Sequence, residues 1–190
     1  NGENVVLIFA SSGNFNVLKF LVKLGIDIKN RDIYGENVLH KILNAELMTN
    51  DKVIPAISRI VHNNPELILQ QNRKGENAFV VSAKKGFNGV MALMSTFYPI
   101  SLLDCSTDKS VLHFAAESNY PETIRYIIQH FHIDANIKSK DGLTPLHYAA
   151  QSSSILAYKE LLDLGANPLI AQDGIKLTSI DFALRLEQKK

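Results

Sequence analysis

A seven-residue phrase returns six times along this chain at a nearly constant interval. Aligned on its first position, it reads NVVLIFA from Asn4, NVLHKIL from Asn37, NAFVVSA from Asn77, SVLHFAA from Ser110, TPLHYAA from Thr144 and TSIDFAL from Thr178. The intervals are 33, 40, 33, 34 and 34 residues, so one carries a seven-residue insertion and the rest keep the period. A period in this range marks stacked supersecondary units, each too small to bury its apolar side except against its neighbours. By length alone, 190 residues would make one or two globular domains. The repeats override that division and predict one elongated array.

Each copy reads as two short helices. In the best preserved, Leu146, Ala149 and Ala150 fall at helical spacing, and Ala157, Leu161 and Leu162 do so again. Alanines let neighbouring first helices approach, and the leucines of the second helix cover them. Thr144 can cap free backbone N–H groups, and Pro145 suits a first turn that needs no N–H. Gly165 supplies the left-handed residue that ends the second helix. The second and third copies lack that glycine. Pro65 and Pro99 stand at or beside its place, which predicts a different exit from those helices.

Period and motif together resemble the ankyrin-repeat family over essentially the whole chain. Five full repeats would lie near residues 1–33, 34–73, 74–106, 107–140 and 141–174, with the first helix of a sixth at 175–190. The stretch from Asp141 to Asn167 is close to the family consensus. Elsewhere the framework persists in Gly13, Val17, Leu21, Gly25, Asp32 and Gly35, in His40, in Gly86 and Val90, and in His113, Ala115 and Ala116. The resemblance implies an all-α ankyrin-repeat solenoid of helix–turn–helix units and hairpin-like fingers, forming a single domain. Its fingers and first helices would line a concave side. Because the chain starts at Asn1, already inside a repeat, it is expected to be a piece of a longer protein.

His147 follows Thr144 inside the phrase, and His40 and His113 hold the same place behind Asn37 and Ser110. In the family this histidine is a structural hydrogen-bonding residue that ties the threonine position to adjacent fingers. The expected structural set is therefore His40, His113, Thr144 and His147. Three regularly spaced copies are also the wrong arrangement for one catalytic centre.

Other chemistry finds little support. Cys105, Asp108 and His113 lie close in sequence, but Cys105 falls where Asp32 stands in the first finger and His113 is already assigned. His130, His132 and Asp134 could suggest a metal, yet a site needs three or four converging ligands and a surface loop explains them. Glycines are isolated, so no phosphate loop is present. No cofactor is expected.

Charge is nearly balanced, at 20 basic and 19 acidic residues, which gives no ground for nucleic-acid binding. No run is long and apolar enough to insert in a membrane, and the N-terminus lacks a signal-peptide pattern. A lone cysteine, Cys105, favours a reducing compartment, so a cytoplasmic location is expected.

The expected function is protein–protein recognition through the concave surface, without catalysis in this segment, the partner being another protein or peptide. The second reading is a targeting arm of an enzyme, or of a secreted microbial effector acting in host cytosol, whose catalytic domain lies elsewhere. Candidate partner-binding residues are Tyr34, Arg73, Lys74, Lys84, Lys85, Phe114, Glu117, Tyr148, Gln151 and Phe182. Arg73, Lys74, Lys84 and Lys85 form a basic group that either receives an acidic peptide or is an ordinary solvated face. Phe114, Tyr148 and Phe182 follow the histidine position and are either interface anchors or fillers between helices. The insertion around residues 46–54 is either an added contact element or a tolerated bulge with an exposed Thr49-Asn50-Asp51 turn.

Overall fold

The structure is a computed structural model that describes residues 4–46, 49–104, 108–174 and 176–187. Those residues fold as helices, with an isolated bridge between Ala171 and Thr178. None of the helices is long and apolar enough to cross a membrane. The chain divides into two compact units, one of residues 1–82 and 87–105, the other of residues 83–86 and 106–190.

In chain order the helices are α1 (Val5–Ser11), α2 (Phe15–Lys23), α3 (Val38–Asn44), α4 (Asn50–Asn63), a 3-10 turn (Pro65–Ile68), α5 (Ala78–Lys84) and α6 (Asn88–Ser95). Then follow α7 (Ile100–Leu103), α8 (Val111–Glu117), α9 (Pro121–Phe131), α10 (Pro145–Gln151), α11 (Ile155–Asp163) and α12 (Ser179–Glu187). Helices of seven residues, such as α1, α3, α8 and α10, are too short to persist alone in water. They hold through packing, which covers α8 and α10 on nearly every side and α1 on one, where Val6, Leu7 and Ala10 are buried while Val5 and Ile8 are exposed. In α10 each residue from Pro145 to Ala150 is buried. The second helices are one-sided: α11 buries Ala157, Glu160 and Leu161 and turns Leu162 outward, at 38% exposure. Leu162 therefore belongs to the surface, contrary to its expected place in the core.

The turn between paired helices needs a left-handed residue, and Gly13 and Gly86 supply it with φ of 69° and 75°. Asn119 and Ser153 take the same place in the two following copies, at φ 59° and 54°. His132 does the equivalent at the end of α9, with φ 53°, so this member of the His130–His132 pair is a helix terminator.

Both proline-marked exits form short helical turns in place of a glycine stop. Leu67 and Ile68 of the 3-10 turn are fully buried, as is Leu103 of α7. Each turn is also tied back to a first helix: Asn37 Nδ2 donates to the Leu67 carbonyl at 2.9 Å, and Asn77 Nδ2 to that of Leu103 at 2.8 Å. The insertion departs from expectation. Asn50 and Asp51 are not a turn but the first residues of α4, which runs for 14 residues with Pro55 inside it. Thr49 holds the N-cap position, and Leu47 and Met48 lie outside the described residues.

Candidate protein-interaction surface

The fingers are turns fixed by their own side chains. Asp32 Oδ1 accepts from the N–H groups of Tyr34, at 2.9 Å, and Glu36, at 2.8 Å. Asn72 Oδ1 does the same for Lys74 and Glu76, at 2.9 and 3.1 Å. Gly35 and Gly75 close both turns with φ of 74°. Successive fingers are then joined, the Arg73 N–H donating to the Tyr34 carbonyl at 2.9 Å, while Arg31 reaches the Gln71 carbonyl. In the other unit Lys140 N–H bonds the Asp108 carbonyl in the same way, at 2.9 Å.

First helices are locked to these fingers through the repeated histidine. Ser110 N–H donates to His113 Nδ1 at 3.0 Å, and Thr144 N–H to His147 Nδ1 at 3.1 Å. The far nitrogen, Nε2, donates to Leu143 and Leu177 carbonyls, both at 3.0 Å. His40 Nε2 likewise meets the Glu76 carbonyl at 2.9 Å. A nitrogen facing a carbonyl must carry the proton, and one receiving a backbone N–H must not. His113 and His147 are therefore neutral. Burial drives the His113 pKa down to about 4, against the pull of its backbone acceptors and helped by the Lys109 charge. His147 is lowered as well, chiefly by burial. In the last copy Asp181 replaces the histidine and caps in its own way, accepting from Thr178 N–H at 2.8 Å.

The position after the histidine differs between the units. In the first, Ile8, Lys41 and Val81 fill it, and Lys41 pairs with Asp32 and Glu36 at 2.8 and 3.2 Å. Burial would raise the Asp32 carboxyl, but Lys41 and the N–H groups of Glu36 and Tyr34 together outweigh it and hold it below the ordinary carboxylate range. In the second unit Phe114 and Tyr148 fill the position and are only 8% and 4% exposed. Tyr148 stands edge-on to His113, with ring centroids 5.0 Å apart, and Phe182 edge-on to His147 at 5.4 Å. This corrects the anchor reading for Phe114 and Tyr148: as folded they are covered, and they cannot present a free ring.

Lys109, which the sequence did not single out, supplies much of that cover. Its ammonium lies 4.3 Å from the Tyr148 ring centroid and 5.5 Å from that of Phe114, and it pairs with Glu117. Lys84 stands 5.7 Å from the same Phe114 ring. Two signals were available, a lysine just before Ser110 and the aromatic that follows the next histidine. Tyr34 is exposed, at 62%. Arg73, Lys74, Lys85 and Gln151 are exposed, and Lys84, Glu117 and Phe182 half-buried. Cys105 lies outside the described residues.

Fingers held by Asx-type turns, buried first helices and one-sided second helices define a repeat scaffold that displays side chains on fixed turns. Residues 83–172 match the family of ankyrin repeats in three copies. The ankyrin repeat domain of human ASB11 shares 18% identity and superposes with a TM-score of 0.73 over 96% of this chain and 78% of its own. The structure of the Bd0816 predatory endopeptidase from Bdellovibrio bacteriovorus in complex with immunity protein Bd3460 gives a TM-score of 0.72 at 18% identity, covering 100% of this chain and 95% of the matched one. Human transient receptor potential cation channel subfamily A member 1 is 25% identical over 87% of this chain, which spans 15% of the channel's length. Residues 83–172 thus carry the ankyrin-repeat signature, and the fold of ankyrin-repeat structures is shared along the length of the chain. Ankyrin repeats are protein-interaction modules.

Proposed function

We propose that this chain binds a protein or peptide partner through the finger and first-helix side of each unit, without catalysis of its own. The observation that carries this reading is the display of exposed side chains on turns already fixed in the free protein. Tyr34 projects from a turn held by Asp32 and Gly35, and Arg73 and Lys74 from one held by Asn72 and Gly75. Preformed turns reduce the ordering cost of binding, and tyrosine and arginine are preferred anchors. In the second unit the exposed Lys85 and Gln151 and the charged roof of Lys84, Lys109 and Glu117 meet the partner. Phe114 and Tyr148 support that roof from below. The repeated histidines are engaged by backbone groups, which speaks against a catalytic role for them. A cytosolic setting is part of the same proposal, supported by the single cysteine.

The test is site-specific photo-crosslinking. A benzophenone side chain introduced at Tyr34 or Arg73 should capture one common partner from the source cells, competed away by excess unlabelled chain. The same probe at the exposed Ala92, on the second helix α6, should capture none. Capture from Ala92 with silence at Tyr34 and Arg73 would move the site off the fingers.

A further inference from the structure

In the unit of residues 1–82 and 87–105, the second helices α2 and α4 leave a cleft of about 190 Å³ between them. Leu18, Val22, Ala56 and Ile60 line its apolar part, and Lys19, Lys52 and Arg59 stand around it. All three cations are exposed. No carboxylate lines the cleft, and among the described residues none of the three has an ion-pair partner.

The other unit shows what closes such a gap. There Arg125 of α9 forks onto Glu160 of α11, with Nε and Nη2 each 2.8 Å from a carboxylate oxygen. Lys19 stands at the same offset from Asn4 as Arg125 does from Ser110. Once the insertion is counted, Ile60 stands where Glu160 does. In the α2–α4 cleft the cation is kept while its carboxylate has become an aliphatic residue. A second cation, Arg59, adjoins that residue, and a third, Lys52, belongs to the inserted segment.

We propose that the α2–α4 cleft docks an acidic amphipathic segment of another protein. Its aliphatic side chains enter against the half-buried Val22 and Ala56, over the covered Leu18 and Ile60, and its carboxylates meet Lys19, Lys52 and Arg59, as Glu160 meets Arg125 within the chain. Charge complementarity selects acid, and the aliphatic floor selects a peptide side chain over a phosphate backbone. The insertion acquires a role here, because it extends α4 and brings Lys52 to the cleft. This site lies on second helices and does not depend on the finger surface.

The probe is a fluorescein-labelled helical peptide of Glu, Ala and Leu with leucines at i and i+4, compared with its Gln-for-Glu analogue by fluorescence anisotropy. The Glu peptide should bind and weaken as salt rises, and the Gln analogue should bind at least roughly tenfold more weakly. Lys19→Gln with Lys52→Gln and Arg59→Gln should remove binding while leaving the denaturation midpoint in place, because all three side chains are exposed. Reversal to Glu at the three positions should create binding to a Lys-for-Glu peptide. Equal affinity for the Glu and Gln peptides, or retained binding by the triple Gln variant, would overturn the proposal. So would tighter, Lys19-dependent binding of single-stranded DNA or phosphatidylserine vesicles, which would assign the cleft to another class of ligand.

Discussion

His113 donates from Nε2 to the carbonyl of Leu143, thirty residues further along, at 3.0 Å, while its Nδ1 receives the N–H of Ser110. One neutral ring thus caps its own helix and grips the following finger. Protonation would set N–H against N–H at Ser110, in a buried place.

Stability should therefore fall with acid. The folded pKa of His113, about 4, lies below the unfolded value near 6.5, so the unfolded state takes up the proton first. The contribution is fully present above about pH 6.5 and is lost as pH falls towards 4. Between pH 7.5 and 5 the loss from His113 should be about 2 kcal/mol. Urea denaturation at both pH values checks this. His113→Gln should be less stable at pH 7.5 and should lose less on acidification than the parent.

Leu146 is fully buried, so Leu146→Ala should cost about 2–5 kcal/mol through lost burial and the cavity left behind. Leu162→Ala, at an outward-facing position, should stay within about 1 kcal/mol. Chemical denaturation of the pair tests the packing directly. Equal costs would contradict the one-sided burial of α11.

Ser153 adopts a left-handed backbone that costs a residue with a Cβ about 1 kcal/mol, so Ser153→Gly should stabilise by about 0.5–1 kcal/mol. Gly86→Ala should do the reverse and more. An added methyl there meets the Tyr120 ring at 2.7 Å, on a backbone with φ 75°. Thermal melts of the two variants should move in opposite directions.

The start of α4 should open more readily than α10. Thr49 makes no side-chain capping bond and Pro55 removes a backbone donor within the helix, whereas α10 is buried along its length and boxed by Thr144 and His147. Native-state hydrogen exchange should show faster exchange at Lys52 to Ile54 than at Tyr148 to Ala150. Equal protection would place the weak segment elsewhere.

The sequence by itself determined the repeat class, the starts of the first helices and the place of the repeated histidines, because these depend on local offsets. A cap, a first-turn proline or a histidine three residues behind its threonine acts within one turn of helix. It also located the two proline-marked exits, though not that each would bury leucine and be tied to Asn37 or Asn77. Tertiary structure decided what depends on two copies at once. Phe114 and Tyr148 read equally as anchors or fillers until Lys109, from a neighbouring finger, was seen to cover them. The inserted segment read as a turn because Thr49-Asn50-Asp51 favours one locally, yet packing carried α4 back to Asn50. The α2–α4 cleft arises the same way: Lys19 and Ile60 are unremarkable in their own helices, and only their juxtaposition leaves a cation without the carboxylate that Arg125 has in Glu160.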